Sequence, residues 1–261
     1  MKPNQNFNME RKLLLLAGIL IVMLAAHTLF AQTSGVITYE VKINMHRRLP
    51  PERAEMKAMI PEFRSTKEQL FFNENESLFK TLIEDEEEPM GGGGFQVRMN
   101  MPKNELYIHQ AEGKTIAKRE FMGKSYLIQD SVKVSPWKFG TETKTIQGYV
   151  CKQAYYTSES KVNINGNEVA EKTEITAWYT DQLRPFLGPE RYSSLPGAVL
   201  AVDVNNAERV LVATKIELRE LKKNELKVPT GGTATTQVEF ERLVKEQMEK
   251  MRANGGMIIR N

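Results

Sequence analysis

Cysteine is almost missing from this chain: Cys151 is the only one in 261 residues. A single thiol cannot form an internal disulfide, even in an oxidising compartment, so an apolar core must hold the fold. Histidine is nearly as scarce, with only His27, His46 and His109. No nucleophile elbow, zinc-helix motif or phosphate-binding glycine loop occurs. An excess of one charge is lacking too, since 36 Lys and Arg face 33 Asp and Glu for a net charge of +3. Phosphate binding needs clustered, unopposed Lys and Arg, so this balance implies no nucleic-acid partner. No internal repeat is evident.

One long apolar run is present, Leu13 to Ala26, preceded by Lys2, Arg11 and Lys12. A basic start, an apolar middle and the small residue Ala31 read as an export signal cut after Ala31. The competing reading is an uncleaved anchor. Fourteen residues make ~21 Å of helix against ~30 Å of hydrocarbon, although continuing through Phe30 would nearly bridge that gap. No cysteine follows the run, which argues against a lipoprotein. The expected location is therefore periplasmic, or secreted and associated with the outer membrane. Cleavage removes Lys2, Arg11, Lys12 and Glu10, leaving 230 residues with a net charge of +1, enough chain for one domain with its own core.

Alternation dominates what remains. In Gly35 to Asn44, Ile37, Tyr39, Val41 and Ile43 share one face while Thr38, Glu40 and Lys42 take the other, the period-two pattern of a half-buried strand. Similar runs are Gln69 to Phe72, Glu76 to Leu82, Glu105 to His109, Lys114 to Phe121 and Lys124 to Gln129. Thr145 to Thr157, Lys172 to Thr180, Ala198 to Val204 and Glu208 to Leu218 follow. Turn residues punctuate them at Asn73 to Asn75, Glu112-Gly113, Met122-Gly123, Asn165-Gly166 and Asn205-Asn206. Strands joined by short turns predict a large curved antiparallel sheet with one face packed. The fold class is β-rich α+β.

Two helices interrupt the pattern. Pro51 to Ile60 opens on a proline and has partly helical apolar spacing. Thr236 to Ala253 carries a capping box, Thr236 with Glu239, and a stop at Asn254-Gly255. Its apolar stripe is Phe240, Leu243, Val244, Met248 and Met251, suited to docking on the sheet or to gripping a partner. A linker, Pro229 to Thr235, precedes it. The expected organisation is a signal at 1–31, a β-rich domain at 32–228, and a linker, helix and frayed tail at 229–261. Within the domain, the acidic run Glu84 to Glu88 and the glycines Gly91 to Gly94 make 83–94 a mobile loop.

Candidates for chemistry are few. Consecutive carboxylates point in opposite directions on a loop and do not converge on a metal. Met99 and Met101 bracket Asn100 and suit copper(I), but the same spacing serves a core. His46 sits beside Arg47-Arg48, which makes it a poor base. Cys151 lies mid-strand, the usual place for an inert buried thiol. Asp181 and Glu190 form a carboxylate pair only if the fold brings them together. No catalytic residue, metal site or cofactor is assigned.

The strongest constellation is structural. Pro196-Gly197 fits a type II turn that needs glycine at positive φ. Ala198 to Val202 is apolar at every position, so this strand must be covered on both sides. Arg184-Pro185-Phe186-Leu187-Gly188-Pro189 is a stiff loop upstream, and Trp178 and Tyr179 lie on opposite strand faces, so only one looks inward. Aromatic rings beside a rigid loop wall a pocket for an apolar ligand or fill a core.

Trp137, Lys144 to Ala154, Ala177-Trp178-Tyr179-Thr180, Gly188-Pro189 and Ser194-Leu195-Pro196-Gly197-Ala198-Val199 together resemble the GLPGLI family, secreted proteins of Bacteroidota. Ser194 stands where that family's first glycine would be, and Gln153 is inserted in its Lys-Ala pair. The resemblance implies an exported envelope protein and carries no established activity; by fold analogy its sheet is similar to the half-barrels of periplasmic lipoprotein carriers. Asp130-Ser131-Val132 looks like the short O-glycosylation pattern of that phylum.

The functional expectation is a non-enzymatic binding or envelope-assembly module for a lipid or other hydrophobic ligand. Its pocket is expected between the sheet and the loop Arg184 to Pro196, lined by Trp178 or Tyr179, Phe186, Tyr192, Leu195, Pro196 and Gly197. The alternatives are a periplasmic hydrolase or peptidase using His109 and nearby acids, and a structural partner of an outer-membrane complex acting through the C-terminal helix.

Overall fold

A computed structural model describes residues 33–49, 51–82, 104–164 and 167–253. The export signal, the acidic and glycine segment, the Met99–Met101 pair and the Asn165-Gly166 turn lie outside them. Twelve strands form one sheet: β1 (Gly35–Asn44), β2 (Phe63–Phe72), β3 (Glu76–Thr81), β4 (Glu105–His109), β5 (Lys114–Phe121), β6 (Lys124–Ser131), β7 (Lys138–Ile146), β8 (Tyr149–Ile164), β9 (Asn167–Thr180), β10 (Ala198–Val204), β11 (Arg209–Leu218) and β12 (Thr233–Thr236). Their order across the sheet is β12-β6-β5-β4-β3-β2-β1-β11-β10-β9-β8-β7. Every pair is antiparallel except β12 with β6. The sheet is large and open, not closed into a barrel.

Register puts the alternating residues where the pattern requires. Ile37 lies opposite Leu70 and Val41 opposite Leu211, with Phe79, Val202, Ala177 and Ala154 continuing the same face across neighbouring strands. All eight are at most 6% exposed and belong to one core cluster. The other face is buried in part as well. Val36, Phe71, Leu78 and Tyr107 share it and are each at most 5% exposed. The stretch from Arg219 to Gly232 carries the chain from mid-sheet to the edge strand. It begins on the Ser34 carbonyl, which accepts from the Arg219 N–H at 3.1 Å, and ends where Lys118 Nζ donates to Thr230 O at 2.8 Å. Glu225 clamps its start by accepting two 2.8 Å bonds from Arg219, which holds the Glu225 carboxyl down at about 2.

Helix α1 (Gln237–Ala253) starts on the expected capping box. Glu239 N–H donates to Thr236 Oγ1 at 3.2 Å and Thr236 N–H donates back to Glu239 Oε2 at 3.1 Å, satisfying two otherwise orphaned donors. Its apolar stripe docks on β5 and β6: Phe240 packs edge-on against Tyr126 and Phe121, with Leu243 and Val244 beside it.

Strands β2, β8 and β9 run five or more residues beyond the expected spans, and three elements differ in kind from the sequence expectation. Thr145 to Thr157 is two strands, because Gln147 and Gly148 adopt φ of 50° and 82° and fold it into a hairpin. The upstream half, β7, is largely polar and exposed, so no alternation marks it. Pro51–Ala58 forms a 3-10 helix; Met59 just beyond it is 81% exposed, so no buried stripe holds a longer α-helix there. The edge strand β12 was hidden in a Thr-rich linker too short for periodicity to register.

Candidate functional site

The chain between β9 and β10, residues 181–197, folds back over the core face of the sheet. Backbone bonds shape it: Phe186 N–H donates to Leu195 O at 3.0 Å, Tyr192 N–H to Pro189 O at 3.0 Å, and Val199 N–H to Leu187 O at 2.8 Å. Side chains then fasten it to the sheet. Arg184 donates to the carbonyls of Glu74 and Glu76 at 3.3 and 3.4 Å, and the Tyr39 hydroxyl donates to Val199 O at 2.7 Å. Ser194 Oγ accepts from Trp137 Nε1 at 3.0 Å and from Ser135 N–H at 3.2 Å. The serine that departs from the GLPGLI pattern is thus the pin for the tryptophan that matches it.

Gly197 is needed for a reason other than the expected one. Its φ is not positive, so Pro196-Gly197 is not a type II turn. A Cβ at this position would instead collide with the backbone carbonyl of Thr180. Close approach, not left-handed backbone, requires the glycine. The strand that follows is covered on both sides as expected, with Ala198 to Val202 at most 2% exposed.

The seven residues expected to line a pocket divide between core and surface. Tyr192 and Leu195 are 1% and 0% exposed, and Tyr179 is buried in the same cluster. Phe186 is 42% exposed, and Pro196 also faces solvent. Trp178 is half-buried on the opposite strand face, with Lys144 Nζ 4.1 Å from its ring centroid. A hollow of about 340 Å³ does open elsewhere, beside Phe71, Lys80, Leu82 and Asn104, and none of the seven borders it.

The loop tip instead meets a ring of charge. Glu190, at φ 49°, accepts both guanidinium arms of Arg209, one at 2.8 Å. Arg209 shares the core face with Val41 and Leu211 through its pairing with Ile43. Glu68 is on that face opposite Tyr39. Burial raises its carboxyl to about 7; Glu190 adds to the rise and Arg209 opposes it. Glu68 Oε2 is buried with no hydrogen-bond partner. Arg119, on the same face of β5 as Ala117, lies within electrostatic reach of Glu190, Arg191 and Glu241. Tyr156 and Tyr192 stand near Arg191. Residues from β2, β5, β8 and β11 therefore gather around positions 190–192, with Glu241 of α1 within reach of Arg119. Asp181 takes no part: it pairs with Lys152 Nζ at 2.6 Å, so the carboxylate pair Asp181–Glu190 does not form.

The remaining chemical candidates have ordinary surroundings. His109 Nδ1 accepts from Glu112 N–H at 3.3 Å, and its Nε2 is 3.7 Å from the Glu112 carboxylate. His46 Nε2 lies 2.9 Å from the Ile60 carbonyl. Cys151 is fully buried, which pushes its thiol up to about 11, too high for a ready nucleophile. Glu76 accepts from the Tyr107 hydroxyl and from Asn73, which hold its carboxyl below the usual range. Ser131 ends β6 exposed, beside Asp130, which pairs with Lys133 at 2.8 Å. Among the described residues, no group of three or more His, Cys, Asp and Glu side chains converges to hold a metal.

No curated protein matches the chain. Structures of PNGF-II in the P21 and C2 space groups are similar to it, with TM-scores of 0.51 and 0.50 and identities of 15% and 16%. The alignments cover 82% of this chain and 34% and 33% of those chains. At such identity the likeness is one of β-rich fold, and this chain spans about a third of the length of the PNGF-II chains. Residues 137–201 match a family described as "Protein of unknown function (Porph_ging)". The stretch that holds the loop, its Trp137 pin and most of the buried strand behind it is thus the part that matches the Porph_ging family, which is the GLPGLI family.

Proposed function

We propose that this is an exported envelope protein that works by contact, a binding or assembly module whose working surface is the core-side face around the loop tip. The observation that carries this reading is the charge ring itself. Glu68 Oε2 is buried and unpaired, and Arg119 and Arg191 lie within reach of each other. A bound group that donates to Glu68 and offers negative charge to the arginines would complete the set. The half-exposed Leu106 on the same face and the exposed Phe186 add apolar contact, which suits a ligand with an oily body, such as a lipid, or an outer-membrane protein. Export by a signal cut after Ala31 would deliver the protein to the periplasm or outer surface, and a mature N-terminus at Gln32 is the expected sequencing result.

The test is purification from the native envelope followed by solvent extraction and mass spectrometry. A stoichiometric ligand or partner should be retained by the natural protein and depleted in an Arg119→Ala/Arg191→Ala variant. Equal recovery from both would contradict the proposal.

A hydrolase remains the second reading, and one observation favours it: Glu68, raised to about 7 chiefly by burial, lies within electrostatic reach of Glu190, whose carboxylate accepts from Arg209. A carboxyl raised to such a value can serve as a general acid beside a second carboxyl group. The pair replaces His109, whose contacts named above are both with Glu112. Turnover of peptide or ester probes that disappears in Glu68→Gln would establish that reading.

A further inference from the structure

Strand β7 ends the sheet, paired on one side with β8 and, among the described residues, bordered by no strand on the other. An edge of this kind presents a row of unpaired backbone donors and acceptors. The hairpin turn decides which groups those are. With Gln147 and Gly148 both at positive φ, the turn is the two-residue kind whose flanking pair, Ile146 with Tyr149, exchanges both hydrogen bonds. Alternation then points the N–H and C=O of Thr143 and Thr145 away from β8. On the other side the ladder slips between Phe139 and Thr143, where Gly140 is pressed so closely on Gln153 that a Cβ would collide with it.

The charges along this stretch suit one particular partner. In an antiparallel pairing of β7 with itself centred on Thr143, Glu142 of each copy lies opposite Lys144 of the other. Centring on Glu142 or on Lys144 sets like charges face to face, and centring on Thr141 puts Lys138 opposite Lys144. The favoured centre is also a residue whose backbone groups point outward, so the two Thr143 residues can exchange both bonds across the dyad. Lys144 is held in place over the Trp178 ring. Phe139, Val150 and Tyr155, each at least 43% exposed, flank the edge and would gain cover.

From this geometry we infer that β7 is a homodimer edge, at which two copies join their sheets through an isologous pairing centred on Thr143. Two-fold closure uses up the edge, so the product is a dimer and not a fibre. The edge shares no residue with the ligand surface proposed above, and either can stand without the other.

The test is the oligomeric state of the purified protein by light scattering and native mass spectrometry over a dilution series, with charge-swapped variants. The natural protein is expected to dimerise. Glu142→Lys and Lys144→Glu each replace two attractive pairs with two repulsive ones and should weaken the dimer roughly tenfold or more, while the double variant, with both pairs reversed, should restore it. Unchanged thermal unfolding shows that each variant still folds. Thr143→Cys should cross-link to its own copy on mild oxidation and Thr145→Cys should not, a readout that does not depend on the charges. A strictly monomeric natural protein, a double variant no better than the singles, or cross-linking at Thr145→Cys instead of Thr143→Cys would overturn the inference.

Discussion

The sheet's core-side face has two covers, and they are held in opposite ways. The loop at 181–197 lies on the main cluster. It contributes Leu187, Tyr192 and Leu195 at no more than 1% exposure and is tied down through Arg184, Ser194 and Glu190. Helix α1 lies on a satellite cluster built largely around one ring, Phe240, at 6% exposure. The loop has no regular secondary structure and yet is part of the core. The helix has regular structure and is peripheral. Depth of burial, not regularity, decides which cover the fold depends on.

Breaking the loop should therefore cost most. Gly197→Ala would drive a methyl into the Thr180 backbone carbonyl, which a side-chain rotation cannot relieve. Chemical denaturation should show a loss of about 3 kcal/mol or more, with poor soluble yield. Leu195→Ala should cost about 3 kcal/mol by leaving a cavity in the same cluster. Phe240→Ala sharpens the comparison. Helical signal near 222 nm and protection of α1 amides should fall, while the main unfolding transition moves little, because the satellite cluster can open alone. Full loss of the main transition would show that the two covers fold as one.

Smaller effects test the polar anchors. Ser194→Ala should cost about 1 kcal/mol and shift the Trp137 emission, since the indole N–H loses its acceptor. Glu68 should give a pH signature. Its carboxyl rises from the ordinary 4.5 to about 7 in the folded chain, so the folded state holds that proton more tightly. Its stabilising contribution is full below pH 4.5 and is lost as the pH climbs to about 7. Glu68→Gln should therefore leave stability unchanged at pH 4 and raise it at pH 8, the reverse of a carboxylate engaged in an ion pair.

Much of this architecture was legible in the alternation of apolar residues. The spans of β1, β4 and β5 follow from period two and that of β10 from an unbroken apolar run, and the capping box placed the start of α1 within one residue. β7 escaped because its solvent-facing polar residues carry no burial signal. The 3-10 turn at Pro51–Ala58 escaped because local propensity without a packing partner leaves the helix type open. The site was less legible still. Trp178, Tyr179 and Tyr192 identify the right region, but composition does not distinguish a pocket wall from a core filler. The charge ring did leave a trace. Glu68 and Arg209 share the strand faces of Leu70 and Leu211, and a charge at such a position needs a partner from elsewhere in the chain. The partner of Arg209, Glu190, sits in the loop, and only the fold brings Glu68, Arg209 and Glu190 together.

Native-state amide hydrogen exchange tests the central contrast most directly. If the loop is part of the core, the N–H groups of Phe186, Tyr192 and Val199 exchange only with global unfolding, while those of Leu243 to Met248 in α1 exchange by local opening at lower free energy. Loop amides that exchange faster than the helix would contradict this, and residues 181–197 would then be a lid over the sheet rather than a part of its core.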